Sequence, residues 1–297
     1  MARSHFTIHM KILRITVVFL FYFFIGIPIH AEESTQQSST QQSSNQQFEG
    51  FDLAGYGENG KKEWDVKGDT ADILGSTIQL TNIVANAYGE EDMNITAKTG
   101  TLDKASGNMH LEQDVVITSE NGGQLITDSL DWQKEKDLVT TNDDVLISQE
   151  GMTATGTGAV AHPGLSSAQL NERVTVNVNT DPKSSAGRMI TITSDGSMEV
   201  EYEKGRAVFN KNVVAIDGDR KLQADQMLIF IDTKTNQIKE MICNGNVSVI
   251  QDGNTAYAEQ ATYKAGDKTL VLSGRPKLVL YTQQESGKGL FGDSKKE

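Results

Sequence analysis

The chain has 297 residues, 27 Lys and Arg against 40 Asp and Glu, a formal net charge of −13 and one cysteine. An acidic surface repels phosphate backbones, which argues against nucleic acid as a partner. Lone Cys243 cannot form an intrachain disulfide, so a core and hydrogen-bonded ladders must hold the fold together.

Residues 1–31 have the layout of a signal peptide or N-terminal membrane anchor. Arg3, Lys11 and Arg14 precede the apolar run Ile15–Ile29, no acid comes before Glu32, and Ala31 offers a small residue for cleavage. The run is shorter than the roughly 20 residues of a usual spanning helix, and Pro28 disfavours its end. Met10–Pro28 is nearly long enough to be retained if Lys11 and Arg14 snorkel. No cysteine near the run marks a lipoprotein. Either route exports the remainder, and loss of the leader takes the charge from −13 to −16. Residues 32–47, EESTQQSSTQQSSNQQ, form a polar low-complexity linker able to span roughly 20–25 Å.

From Phe51 onward short alternating runs recur between turn signals. Runs such as Met109–Leu111, Val115–Thr118, Val145–Ser148, Val174–Val178, Val213–Ile216, Val247–Ile250 and Leu278–Tyr281 are bounded by clusters such as Asn121-Gly122-Gly123, Asp217-Gly218-Asp219 and Asp252-Gly253-Asn254. This texture predicts an all-β, antiparallel protein. The runs begin after Asp114, Asp144, Arg173, Asn212, Asn246 and Lys277, at spacings of 30, 29, 39, 34 and 31 residues. A period near 30 predicts stacked repeats of about two strands each. The widest gap contains Asp181–Gly187, with Pro182, and is read as a domain seam.

Two stretches carry a resemblance. Phe51-Asp52-Leu53-Ala54-Gly55-Tyr56, Gly60–Gly68 with Trp64-Asp65-Val66, and Ala71-Asp72 resemble the start of LptC-type proteins. Leu222–Met227, Gly245–Val249, Ala258-Glu259-Gln260-Ala261-Thr262-Tyr263 and Leu270–Pro276 resemble the OstA-like repeat of LptA. The resemblance implies an antiparallel, twisted β-jellyroll, here two successive rolls: an LptC-like roll at 48–180, an LptA/OstA-like roll at 188–283 and a polar tail at 284–297. It implies a periplasmic lipopolysaccharide-binding transport protein of the bridge between inner and outer membrane, tethered to the inner membrane if the leader is kept. Its partners would be the acyl chains of lipid A and other bridge components, stacked edge to edge by β-strand addition, and the edges near Asp52–Val66 and Leu278–Tyr281 would be the docking strands.

In a strand, residues i and i+2 share a face. Val115 with Ile117, Val145 with Ile147, and Val174, Val176 and Val178 would line one interior, extended by Val213, Val247 with Val249, and Leu278 with Leu280. Such residues either fill a narrow roll or line a lipid groove. No enzyme is expected, and no cofactor or metal. His110 sits within a strand pattern and His162 precedes Pro163 in a turn, giving no catalytic constellation. Glu90-Glu91-Asp92 and Asp143-Asp144 read as solvated turns, Asp217-Gly218-Asp219 as a hairpin turn, and Trp64 and Trp132 as packing anchors. The rival readings are a β-helical polysaccharide-active enzyme or adhesin, expected to show a steadier coil of about 20–25 residues and a stacked Asn or carboxylate ladder, and a ligand-free envelope scaffold.

Overall fold

The computed structural model describes residues 46–56, 60–88, 92–162, 167–179, 188–233 and 237–280. The leader, most of the linker, the segment 181–187, Pro163 and the tail lie outside the described residues. Among the described residues no helix is long and apolar enough to cross a membrane.

Among the described residues, seventeen strands make one sheet. They are β1 (Gln46–Tyr56), β2 (Lys62–Leu74), β3 (Thr77–Ala87), β4 (Met93–Asp103), β5 (Met109–Ser119), β6 (Gln124–Gln133), β7 (Leu138–Gln149), β8 (Met152–His162) and β9 (Ser167–Asn179). There follow β10 (Met189–Ser194), β11 (Met198–Glu201), β12 (Arg206–Asp217), β13 (Arg220–Asp232), β14 (Gln237–Gln251), β15 (Asn254–Lys264), β16 (Thr269–Ser273) and β17 (Lys277–Val279). Strands from β1 to β9 each pair antiparallel with the next. β9 pairs with both β10 and β11, these with β12, and β15 with both β16 and β17. The pairing is a hairpin meander throughout, as alternation between Gly, Asn and Asp turns predicts, and not the parallel coil of a β-helix. β1 begins at Gln46, so the last two residues assigned to the linker belong to the first strand.

One sheet can bury a face only by folding on itself. A corner runs across the middle of the strands. Asn82, Gln113, Asp114, Arg173, Lys211, Asn212 and Asn246 all adopt positive φ there. The register also shifts at the corner in the pairs β4–β5 through β8–β9 and β12–β13 through β14–β15. An extra residue in one strand bends it and adds twist. Buried positions then stand four apart instead of two on one set of strands (Leu111/Val115, Leu170/Val174, Phe209/Val213, Cys243/Val247). On alternate strands they stand three apart (Thr127/Leu130, Ala224/Met227). Both halves of each strand therefore turn their apolar side chains to the same interior, and the buried residues form one core cluster.

The corner explains the period of the sequence. Asp114, Arg173, Asn212 and Asn246 stand at the middle of long strands, where the left-handed backbone favours Asn and Asp. Asp143 and Asp144 lie there too. They lie within a strand and not in a turn, though Asp144 is solvated as expected: Asp143 accepts a hydrogen bond from Ser129 at 2.6 Å, and Asp144 accepts from Thr157 at 2.7 Å. Across β9, β10, β11 and β12 the pairing holds one register with no shift, and backbone hydrogen bonding continues from the first half of the chain into the second.

On the outer face a ladder of amides crosses the second half. Gln226 donates to Asn210 at 2.9 Å, and Gln260 donates to Asn244 at 2.9 Å. Weaker contacts of 3.5 Å from Asn244 to Gln226 and 3.4 Å from Ser273 to Gln260 continue it to the last edge. A stacked amide ladder thus occurs in a hairpin sheet as well as in a coil, because directly opposed residues meet in both.

The apolar interior and its two open ends

The inner face is organised as two tracks, one on each side of the corner. The first starts at Leu53 on β1 and passes by direct pairing through Val66, Ala85, Ile95 and Ile117. It continues through Leu125, Ile147, Ala154, Val176 and Ile192. It ends through Ala215, Leu222, Val249 and Ala256 at Leu278 on β17. Every member is aliphatic. At about 4.8 Å between strands, the track measures roughly 65–70 Å along the curved sheet.

The second track lies across the corner. Phe48, Ala71, Leu80, Gly100, Leu111 and Leu130 form its first part. Beyond β7, Ala159, Leu170, Met198, Phe209, Met227, Cys243 and Ala261 lead to Leu272. Between the tracks, Thr127 and Thr141 are buried at the corner with their hydroxyls 3.3 Å apart.

The residues expected from the sequence fall into three groups. Ile117, Ile147, Val176, Val249 and Leu278 are on the first track. Val115, Val145, Val174, Val213 and Val247 flank the corner and are buried there; Val115 and Val213 are fully inaccessible. Val178 is half-buried beside the first track, next to Ile190 of β10. Leu278 and Leu280 differ in exposure from the rest, at 62% and 63%, since among the described residues they lie at the last edge of the sheet. The second track was missed. On β5, β9, β12 and β14 its residues precede the polar corner residue, and the bulge breaks the two-residue alternation that would have joined them to the run that follows.

Among the described residues, apolar side chains are exposed at both ends of the interior. At the first edge Phe48 and Leu53 are exposed, and at the last Leu270, Leu278 and Leu280 are. Nearer the first edge, the Trp64 indole covers Gly55, where an added Cβ would stand 2.0 Å from the ring nitrogen. Trp132 is buried, as a packing anchor should be.

Charge is kept outside or satisfied. Asp65 points away from the tracks, yet it is 2% exposed. Burial opposes its charge, but hydrogen bonds from Lys62, Asn86 (2.8 Å) and the Tyr88 hydroxyl (2.8 Å) outweigh it and hold the carboxyl at about 2. His110 lies between Glu112 (2.9 Å from Nε2) and Asp131 (2.7 Å from Nδ1). The Glu112 hydrogen bond raises its pKa, burial opposes that, and Asp131 adds to the rise. Burial pushes the Cys243 thiol up to about 12, so it behaves as a small apolar core group. Among the described residues no His, Cys, Asp and Glu group could hold a metal ion.

These features define a class: an all-β roll with an apolar interior running from one unpaired sheet edge to the other. Residues 12–181 match the LptC-related family of lipopolysaccharide assembly, and residues 191–297 match the family of LptA and LptD N-terminal lipopolysaccharide transport proteins. The first match takes in more than half of the chain, which belongs to the LptC-related family. The two matches meet between residues 181 and 191, where β9 gives way to β10. No match was found among curated proteins. Among solved structures, the chain is similar to LptH, the LptA-homologous periplasmic component of the lipopolysaccharide transport device from Pseudomonas aeruginosa. That likeness has 14% identity and a TM-score of 0.24, over 55% of this chain and 97% of the other.

Proposed function

We propose that the protein is a periplasmic link of the lipopolysaccharide bridge that carries the lipid in its interior, acyl chains lying along the two tracks. The unbroken aliphatic row from Leu53 to Leu278 carries this reading. Each methylene taken from water contributes about 0.8 kcal/mol without any ionic partner, which suits an anionic lipid on an acidic protein. Apolar contact is non-directional, so a chain can slide from strand to strand without breaking fixed bonds. Residues 1–31 export the protein and, if kept, hold it at the inner membrane, with residues 32–47 as the spacer; the two halves meeting between β9 and β10 are an LptC-like and an LptA-like roll joined in one chain. The families concerned are transport proteins, and the function needs no catalytic group.

The test is photo-crosslinking in cells. A crosslinker at Val145, Val176, Val249 or Met227 should give a lipopolysaccharide adduct, and one at outward-facing Ile126 should not. Adducts to protein alone at all inward positions would remove the carrier role. Depletion of the protein should make the outer membrane permeable to bulky apolar compounds.

A further inference from the structure

A row of directly opposed residues on the outer face changes character in the first half of the chain. From β4 to β9 it reads Thr96, Val116, Ile126, Leu146, Thr155 and Thr175. Threonine suits the solvent face of a sheet. Val116, Ile126 and Leu146 break that pattern on three adjacent strands, and none of them belongs to the core cluster. Ile126 is 36% and Leu146 38% exposed.

A row of acids runs beside these aliphatics. Asp114, Asp128 and Asp144 each stand two residues from one of them on the same strand, and so share its face. Neighbouring strands are about 4.8 Å apart, and residues i and i+2 about 7 Å apart. The six side chains therefore form a grid of two rows. All but Val116 line a groove of about 540 Å³, which continues to Thr157 on β8 and Arg173 on β9.

The groove keeps an excess of negative charge. β5, β6 and β7 each carry two acids and no Lys or Arg. Lys98 pairs with Asp114 at 2.5 Å, and Arg173 with Asp144 at 3.2 Å. Asp128, between them, has no hydrogen bond or ion pair among the described residues. A complementary surface is apolar along one stripe and cationic along the next.

Spacing selects the shape of that surface, because the rows cross the strands. Along an α-helix, positions i, i+3 or i+4, and i+7 follow one another at about 4.5–6 Å. That matches three successive strands. An extended segment laid the same way repeats a face every ~7 Å and loses register within those strands.

We propose that the outer groove on β5–β7 is the docking site for a basic amphipathic helix of a partner protein. The helix sets its apolar stripe on Val116, Ile126 and Leu146 and its Lys or Arg flank on Asp114, Asp128 and Asp144. The groove lies on the face opposite the two tracks, so this assignment holds whatever the interior carries.

The test uses the full chain and a synthetic Leu/Lys amphipathic helix of about 18 residues. A photo-crosslinker at Ile126 or Leu146 should capture the peptide. One at Ile216, which is outward and 42% exposed, should not. The triple variant D114N/D128N/D144N and the double variant I126S/L146S should each weaken binding by about ten-fold. A Leu/Glu helix of the same pattern and an alternating Val/Lys strand peptide should not bind. These peptide controls use the unaltered chain and stand apart from any effect of substitution on folding. Equal capture at Ile216, undiminished binding by either variant, or equal binding of either control peptide would overturn the proposal. So would capture at Ile126, without added peptide, of residues 1–45 or 281–297 of the chain itself, which would make the groove an internal contact. Interior crosslinking to lipopolysaccharide reads the carrier function separately, and its loss with helix docking intact leaves the groove assignment standing.

Discussion

Asp65 shows how a single position can serve a strand without touching the interior. Replacing it by Ala leaves Asn86 and Tyr88 without their shared acceptor, at a cost of about 1–3 kcal/mol. Its folded pKa of about 2 lies below the unfolded value near 3.9. Its stabilisation is therefore complete above pH ~4 and is lost as pH falls toward ~2. Asp65→Asn should flatten the acid-unfolding curve in that window, and an unchanged curve would show the carboxylate to be inert. His110 has the opposite sign. Its raised pKa makes the clasp by Glu112 and Asp131 fully stabilising below the unfolded pKa near 6.5, and that contribution fades as pH rises through the folded value. A ring titration followed by NMR should have its midpoint above 6.5 and shift down in Glu112→Gln.

At the scale of the strand, the corner is the determining feature. Asn246 has φ 46° and donates to Asp225 at 2.8 Å, while Gly245 beside it has φ 74°. A Cβ on Gly245 would stand 2.3 Å from Asp225 Oδ2 and force an L-residue into a left-handed conformation. Gly245→Ala should cost more than about 1 kcal/mol in a denaturant titration, whereas Gly253→Ala, in an open turn, pays only the conformational term. Equal losses would show that the corner is not specially constrained. These positions were visible in the sequence as polar residues at a period near 30. Their role was not, because a bulge within a strand and a turn between strands use the same residue types.

The whole molecule behaves as a linear array, with each strand stabilised by its neighbours. Among the described residues, β1 and β16–β17 have a neighbour on one side, and they expose most of their residues. Hydrogen exchange should therefore be fastest in β1 and β16–β17 and slowest in the middle strands β5 to β9, where Val115 and Val174 are buried. Uniform protection would contradict an array that frays from its ends. The register held across β9 to β12 predicts no extra exchange at that joint relative to β6–β7.

Alternation, turn residues and spacing are local properties, so the strands, their hairpin order, the repeat and the residues flanking the corner were legible in the chain before it was folded. It also held the resemblance that placed the protein among lipopolysaccharide transport families. The folded sheet was needed to show that polar residues such as Asp114 and Asn212 bend strands instead of separating them, and that a second apolar track faces the first. It alone set Leu278 at the last edge of the described sheet while Val249, on the same track, is covered, because burial of an inward residue depends on the neighbouring strands and not on its own neighbours in the chain.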